Sequence, residues 1–400
     1  MVIGSDFGYA FNIGGQTVDS NEYYNDLNIT FNKVNFVGMK AGAIYGNLSG
    51  VTINKCRFSG ISKEGVYALN SKNLTVKNSR FTYTGGMTAI GIVNGTWTDT
   101  TVAKKNRQNL ISCGCNIYNN NIEHHCEYID GGSFKFPIWS LTVGNNISHN
   151  NIKNVTGVAI NFQYNDNIIE YNDIENSCYL ICDTGAIYVG RDLLAFGNII
   201  RNNKIYGNLN SNSNRWQMGV YLDDVTCGVS VLDNHIEDMG WGIYLNGGAY
   251  NTLSGNTMKN CGSAIRCTAL WAWYPTGTST CSPTWGQYWS DKNFDGTLRG
   301  RTYKTYPYYL NNSIWTEKYG NKVRETFGGL DPKTVASSVL TASPSPYWIW
   351  ARCNTITNNT AISCTEPFYY YPKGSATHGF QDLINDGSAY QNIVNGNVIK

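Results

Sequence analysis

The six-residue phrase IYNNNI at residues 117–122 recurs as ISHNNI at 147–152, IEYNDI at 169–174 and IRNNKI at 200–205. Further copies are VLDNHI at 231–236, LSGNTM at 253–258, ITNNTA at 356–361 and IVNGNV at 393–398. Most neighbouring copies begin about 22 or about 30 residues apart, a period that is typical of solenoid proteins. Apolar residues flank a polar bend in each copy, as in two short strands joined by a turn. The phrase therefore predicts a stack of repeated coils.

A second family of strand-like segments alternates with this phrase. Its members are GVYALN at 65–70, GVAINF at 157–162, GAIYVG at 185–190, GVYLDD at 219–224 and GIYLNG at 242–247. Two strand families and one conserved turn per coil predict an all-β fold, the right-handed parallel β-helix. A β-sandwich does not repeat one phrase in this way.

Asparagine occupies the fourth position of most copies of the phrase. Stacked at the same turn of successive coils, these side chains would form a ladder along the axis of the helix. The residues concerned are Asn120, Asn150, Asn172, Asn203, Asn234, Asn256 and Asn359.

One long segment interrupts the repeat. No good copy of the phrase occurs between Asn260 and Arg352, and residues 264–350 are rich in Trp, Tyr and Pro. We interpret 264–350 as an insertion within a single β-helix that spans residues 1–400. Because a long loop on a solenoid is often its functional face, Trp271 and Trp273 are candidate sugar-stacking residues; alternatively, these aromatic residues form a small core of the insertion. Both ends of the chain carry repeat-like sequence, which predicts that the chain is part of a longer protein.

The composition excludes several classes of protein. Charged residues make up 14% of the chain and the net charge is +2, so the basic excess of a nucleic-acid binder is absent. No apolar run approaches the ~18 residues of a membrane-spanning helix. The chain has no phosphate-binding loop, dinucleotide fingerprint or nucleophile elbow. We therefore predict no cofactor, no metal, no nucleic-acid partner and no membrane span.

Twelve cysteines favour a secreted chain with several disulfide bonds. The alternative is that free thiols fill the solenoid core as small apolar side chains. Eight sequons for N-glycosylation have about the frequency expected by chance in this composition, so they indicate glycosylation only if the chain is secreted. Their acceptor residues are Asn28, Asn47, Asn73, Asn94, Asn146, Asn154, Asn311 and Asn358.

Aspartates cluster on two successive coils. DTGAIYVGRD at 183–192 contains Asp183 and Asp192, and GVYLDD at 219–224 ends in Asp223 and Asp224. Carboxylates on neighbouring coils can act as general acid and base on a glycosidic bond.

Aligning the two segments locates these carboxylates relative to one another. If Tyr188 stacks on Tyr221, Asp192 comes close to Asp224, whereas Asp183 lies about 20 Å from Asp223 along a straight strand. Tyr188, Tyr221 and Arg191 would then contact the substrate. The alternative is that Arg191 and the aspartates form a satisfied network of turn residues.

The sequence resembles a known enzyme family at these same residues. The series DTGAIYVGRD, GVYLDD and GIYLNGG, with NIIEYNDIEN before it and an aromatic segment after it, is similar to the right-handed β-helix glycoside hydrolases of family 141. Such proteins are secreted enzymes that act on plant-type polysaccharides. The resemblance implies that Asp183 and either Asp223 or Asp224 are the acid and base. This chain departs from the family's pattern in having Leu193 and Leu194 after GRD.

Two functions are consistent with these observations. In the first, the protein is a secreted, N-glycosylated enzyme that binds a polysaccharide and cleaves a glycosidic bond with paired aspartates. In the second, it is a non-catalytic structural glycoprotein of an extracellular filament, surface hair or coat, and copies associate end to end through unpaired strand edges.

Overall fold

A computed structural model describes most of the 400-residue chain. The described residues are 2–3, 8–14, 26–94, 101–127, 135–190, 192, 194–208, 216–268, 312–326, 353–371, 378–379 and 392–400. The predicted substrate-binding residues Arg191, Trp271 and Trp273 and the sequon residue Asn311 lie outside these ranges.

The first part of the chain forms short strands and one helix. In chain order, the strands are β1 (Val2–Ile3), β2 (Phe11–Ile13), β3 (Thr30–Asn32), β4 (Asn35–Met39), β5 (Ile44–Gly46), β6 (Thr52–Asn54), β7 (Arg57–Ile61), β8 (Val66–Leu69), β9 (Thr75–Lys77), β10 (Arg80–Thr84), β11 (Thr88–Val93), β12 (Asn116–Tyr118), β13 (Asn121–Glu123), β14 (Phe136–Leu141), β15 (Asn146–Ser148), β16 (Asn151–Val155), β17 (Ile160–Gln163), β18 (Ile168–Glu170) and β19 (Asp173–Ser177). Helix α1 (Thr101–Gln108) lies between β11 and β12.

The second part continues the same pattern. Its strands are β20 (Thr184–Gly190), β21 (Ile199–Arg201), β22 (Lys204–Tyr206), β23 (Gln217–Asp223), β24 (Ser230–Leu232), β25 (His235–Glu237), β26 (Trp241–Asn246), β27 (Thr252–Ser254), β28 (Thr257–Lys259), β29 (Ser263–Thr268), β30 (Thr355–Thr357), β31 (Thr360–Ile362), β32 (Glu366–Tyr371), β33 (His378–Gly379), β34 (Ile393–Asn395) and β35 (Val398–Ile399). Helices α2 (Ser313–Tyr319) and α3 (Lys322–Thr326) lie between β29 and β30.

These strands form a right-handed parallel β-helix, as the sequence predicts. As far as β32, every third strand belongs to the same sheet; β33 is an additional strand beside β32. Sheet A contains β1, β4, β7 and so on to β31, and then β35; sheet B contains β2, β5, β8 and so on to β32, and then β33; sheet C contains β3, β6, β9 and so on to β30, and then β34. All pairings are parallel except that of β33 with β32, among the strands that the structure describes. Each coil therefore passes from sheet C to sheet A and then to sheet B.

The core is a set of apolar rows along the axis. Most three-residue strands of sheets C and A bury only their central residue, for example Ile117 of β12 and Ile122 of β13, because alternate side chains of a strand face opposite sides. Phe36, Phe58 and Phe81 stack with ring centroids 4.8 and 4.4 Å apart. The six-residue phrase thus supplies the inward side chains of sheets C and A.

The predicted asparagine ladder is present at the turn from sheet C to sheet A. The side-chain amide of each rung donates to the Oδ1 of the next at 2.9–3.0 Å, from Asn120 through Asn359 to Asn397. The left-handed residue of the turn is the one before the rung, for example Asn119 with φ 55° and His149 with φ 56°. The rung residues therefore serve through their hydrogen bonds, and the preceding residue makes the bend.

A second row of asparagines follows the corner between sheets B and C. Asn145 donates to Asn167 and Asn167 to Asn198, both at 3.0 Å, and Asn251 and Asn354 accept backbone N–H groups from the preceding coils. These residues precede the phrase by two positions, a recurrence that the sequence contains but our prediction missed.

Replacing Asn172 with alanine is expected to lower the free energy of unfolding by about 2–5 kcal/mol, because it leaves several buried groups unpaired. Asn172 accepts from the Asn150 backbone N–H and side-chain amide, and donates to Asn203 Oδ1 and the Ile147 carbonyl. Denaturant unfolding measures the change. The exposed Asn35 in sheet A provides the control, since Asn35→Ala should cost less than ~0.5 kcal/mol. Equal effects of the two substitutions would show that the ladder does not stabilise the fold.

The predicted disulfide bonds are not found in the part of the chain that the structure describes. No disulfide bond joins the eleven cysteines of this part, and most of them are buried. They fill the interior, as in the alternative considered above; Cys115 and Cys267, for example, are at most 1% exposed. Burial raises the pKa of the Cys267 thiol to about 12, so this thiol stays protonated at neutral pH.

The predicted insertion at 264–350 falls largely outside the described residues. Strand β29 continues sheet B as far as Thr268, and helices α2 and α3 are the other described elements of this segment. Helix α2 contacts helix α1, because the Trp315 indole N–H donates to the Gln108 carbonyl at 3.0 Å. None of the described helices is long and apolar enough to cross a membrane.

Candidate active site

The aspartate-bearing segments lie on neighbouring strands of sheet B. Tyr188 of β20 pairs with Tyr221 of β23, as the sequence predicts, and Tyr221 pairs with Tyr244 of β26. All three side chains are on the outer face, because Ile187, Val220 and Ile243 beside them fill the core. The Tyr188 ring meets the Tyr221 ring edge-on at 5.5 Å, and Tyr221 stacks on Tyr244 at 4.8 Å.

Asp223 is held by three hydrogen bonds at the carboxyl end of β23. Its oxygens accept from the Tyr188 hydroxyl at 2.7 Å, the Asn246 amide at 3.1 Å and the Asp224 backbone N–H at 2.7 Å. Gly190 makes the first of these possible, because a Cβ at that position would collide with the Tyr188 hydroxyl. Asp223 is 7% exposed, so its carboxylate is an internal acceptor of this network.

Asp183 lies at the opposite end of the same strands and is exposed. It adopts a left-handed backbone conformation with φ 57° just before β20. Its Oδ1 accepts a hydrogen bond from the Tyr221 hydroxyl at 3.3 Å, and its backbone N–H donates to the Trp216 carbonyl at 3.0 Å. Burial, and next the charge of Asp223, raise the pKa of Tyr221 well above its ordinary value, so the phenol stays protonated and remains a donor.

The two tyrosines connect the two carboxylates. Tyr188 reaches Asp223, Tyr221 reaches Asp183, and the edge-on contact of the rings links both pairs. The carboxylates are therefore not adjacent to one another. Only Asp183 is at the surface, where it can meet a substrate.

Aromatic side chains extend from Asp183 across the next two coils. Trp216, which is 38% exposed, lies 5.2 Å from Trp241, and Trp241 meets Tyr244 edge-on at 4.9 Å. Exposed indole faces are suited to stacking on apolar faces of sugar rings. Sequence analysis missed this group, although Trp241 directly precedes the segment GIYLNG that it identified.

Asp192, the third predicted catalytic residue, is engaged elsewhere. Both of its oxygens accept hydrogen bonds from the Arg107 guanidinium, at 2.6 and 2.8 Å, and both residues are buried. Arg107 belongs to α1, which no motif identified. Asp224, the fourth, is 5% exposed and has φ 41°.

The described residues also bear on two further predictions, metal binding and glycosylation. In the described ranges, no group of three or more His, Cys, Asp or Glu side chains could hold a metal ion. The sequon residues Asn47 and Asn94 are 8% and 2% exposed, which disfavours attachment of a bulky glycan. Among the described sequons, glycosylation stays a prediction at Asn28, Asn73, Asn146, Asn154 and Asn358.

Comparison with known proteins agrees with the fold. A family model described as a right-handed β-helix region matches residues 137–272, about a third of the chain. This match includes the strands of the candidate site. A search of curated proteins finds no match.

Three solved structures show limited similarity to this chain. A tailspike double mutant from Escherichia coli bacteriophage HK620 has a TM-score of 0.35 and 10% identity, over 60% of this chain and 50% of that one. A PL6 alginate lyase bound to a trisaccharide has a TM-score of 0.39 and 12% identity, over 87% and 67% of the two chains.

The third is a PL6 polysaccharide lyase from Pseudopedobacter saltans, with a TM-score of 0.36 and 11% identity, over 99% of this chain and 89% of that one. This chain thus spans half the length of the tailspike chain. None of the three is similar enough for its activity to be transferred to this protein. The glycoside hydrolase family that the sequence resembles is not identified by these comparisons.

Proposed function

We propose that this protein is an enzyme that binds a polysaccharide on the outer face of sheet B and cleaves a glycosidic bond at Asp183. The observation that carries the proposal is the exposed Asp183 carboxylate, which accepts a hydrogen bond from the buried, protonated Tyr221 beside the exposed Trp216. A positioned carboxylate next to a sugar-stacking surface can act as general base for the cleavage of a glycosidic bond. The resemblance to β-helix glycoside hydrolases supports the same reaction.

The residues around Asp183 have distinct roles in this proposal. Asp183, as a carboxylate, takes a proton from a water molecule whose oxygen forms the new bond to the anomeric carbon, while the leaving glycosidic oxygen takes a proton from solvent. Tyr221 fixes the orientation of Asp183. Asp223 is a positioning residue, because it holds Tyr188 and Tyr188 packs against Tyr221. Asp223 therefore acts on Asp183 through two rings, whereas the family resemblance implied that either Asp223 or Asp224 is its catalytic partner.

Removal of one phenolic hydroxyl tests this arrangement. We expect Tyr221→Phe to lower kcat on a cleaved polysaccharide about 10- to 100-fold, because a hydrogen bond to a carboxylate is lost while the ring remains. Release of reducing ends from a panel of plant and bacterial polysaccharides measures cleavage. Tyr244→Phe is the matched control, since the Tyr244 hydroxyl forms a hydrogen bond with the Thr268 hydroxyl. Equal rates for the two variants would remove Tyr221 from the mechanism.

The non-catalytic function has one observation in its favour. Tyr188, Tyr221 and Asp223 are only 3–7% exposed and bond to one another, as in a purely structural network. In that case no polysaccharide in the panel is cleaved, and electron microscopy of the purified protein shows end-to-end filaments. Short separate rods together with cleavage would exclude the filament function.

We also propose an extracellular location, with glycans at some of the exposed sequons. A polysaccharide substrate favours this location, because such polymers are found outside cells. Digestion of the native protein with an N-glycosidase, followed by mass measurement, tests it; glycans at Asn47 or Asn94 would contradict their burial.

A further inference from the structure

Arg266 occupies the outward row of sheet B next to the candidate active site. It pairs with Tyr244 of β26 on one side and with Tyr369 of β32 on the other. Its guanidinium carbon lies 4.2 Å from the centroid of Trp241 and 3.7 Å from that of Tyr369. Aromatic rings from the strands on both sides of β29 therefore contact the guanidinium.

The N–H groups of Arg266 have few acceptors among the residues that the structure describes. The Nε atom of Arg266 is buried and has no acceptor among the residues that the structure describes. Its nearest carboxylate is that of Glu366, with Nη1 and Oε2 3.7 Å apart, which is too long for a hydrogen bond. Glu366 is half exposed and accepts from the Ser263 hydroxyl at 2.9 Å. An unpaired buried N–H destabilises a protein unless a ligand satisfies it.

We infer that Arg266 binds an anionic group of the polysaccharide, a uronic acid carboxylate or a sulfate ester. The inference rests on the proposed function, and it narrows the substrate to acidic glycans. A guanidinium presents paired N–H groups in one plane, which match the two oxygens of a carboxylate or sulfate.

The spacing of the coils fits this assignment. Along the axis of the helix, Arg266 lies two coils, or about 10 Å, from Tyr221 and three coils, or about 14 Å, from Asp183. Asp183 also precedes Tyr188, which lies in the same row as Arg266, by five residues, so the direct separation of Arg266 and Asp183 is about 20 Å. At the greater distance, repulsion between Asp183 and a bound anion is largely screened at physiological salt. Trp241 connects the anion site at Arg266 with the candidate active site, because it contacts both Arg266 and Trp216.

Calorimetric titration with paired glycans tests the assignment. The probes are polygalacturonate with its carboxyl-reduced form, and κ-carrageenan with its desulfated form, so that the two arms distinguish carboxylate from sulfate. We expect the full-length protein to bind one acidic member about 10- to 100-fold more tightly than its neutral form. Arg266→Gln should abolish that difference, and Arg266→Lys should retain only part of it because the planar fork is lost.

The matched control removes a positive charge from another face. Lys259→Gln on sheet A, where Lys259 pairs with Glu237, should leave the ratio of affinities unchanged. An equal loss of affinity for acidic and neutral forms in Arg266→Gln would indicate a purely structural stack and overturn the inference. So would failure to prefer either acidic glycan.

Failure of the proposed function would be visible separately. If Tyr221→Phe slows cleavage but Arg266→Gln leaves the glycan preference unchanged, the enzyme function stands and the anion site is wrong. If no glycan is cleaved but the acidic preference depends on Arg266, the anion site stands without catalysis.

Discussion

Replacement of Asp183 by asparagine is expected to reduce polysaccharide cleavage by about 10²- to 10⁴-fold, the range associated with losing one general acid–base group. Asparagine keeps the size of the side chain and can still contact the Tyr221 hydroxyl, but it cannot carry the proton. Because Asp183 is exposed and precedes β20, the free energy of unfolding should change by less than ~0.5 kcal/mol.

A second aspartate, Asp173, provides the control for the Asp183→Asn substitution. Asp173→Asn removes the same charge from an exposed position of sheet A, away from Tyr221 and Trp216, and should leave kcat unchanged. Rates are measured as release of reducing ends, and folding by circular dichroism and thermal unfolding. Full activity of Asp183→Asn on a polysaccharide that the native protein cleaves would show that the reacting group lies elsewhere.

Removing the guanidinium of Arg107 is expected to have the largest effect on stability. Arg107→Ala leaves the Asp192 carboxylate buried without its ion pair, which costs about 3–5 kcal/mol in comparable cases. The same substitution removes the hydrogen bond from Nε to Asn165 Oδ1 at 2.9 Å and the contact with the Tyr164 ring. Denaturant unfolding of the full-length chain measures the loss.

A double substitution separates charge from packing at this position. Arg107→Met with Asp192→Asn removes both charges and keeps most of the volume, so it should recover much of the stability lost in Arg107→Ala. If the double variant is as unstable as Arg107→Ala, packing of α1 dominates, not the buried ion pair. If Arg107→Ala is as stable as the native chain, the ion pair does not hold α1 in place.

The repeat explains why the fold could be predicted from sequence. Each copy of the phrase places an apolar residue inward on both sides of the turn, so a single pattern specifies sheets C and A. The pairing of Tyr188 with Tyr221 could be predicted for the same reason, because both belong to repeated strands and successive coils keep their register.

The partners of the aspartates could not be predicted in this way. Arg107 lies in α1, between two strands, and Trp216 directly precedes β23; neither position repeats from coil to coil. Their contacts depend on how loops of different length return to the helix. The hydrogen bond between Tyr221 and Asp183 could not be predicted for a related reason. A tyrosine side chain is as long as several residues of a strand, and the repeat does not specify in which direction along the strand it points.

The three corners of the coil differ in how much they tolerate changes of length. Between sheets C and A the connection is two residues long in every described coil, both where its second residue is an asparagine rung, such as Asn120, and where it is Val34, Cys56 or Ser79. The corners on either side of sheet B range from three residues, as between β25 and β26, to the whole segment between Thr268 and Thr355. Segments can therefore be gained, lost or exchanged beside the aromatic face while the rungs keep every strand in register. The turn between sheets C and A is thus constant, whereas the loops on either side of sheet B are variable. Changes in those loops can alter what the aromatic face binds without disturbing the coils.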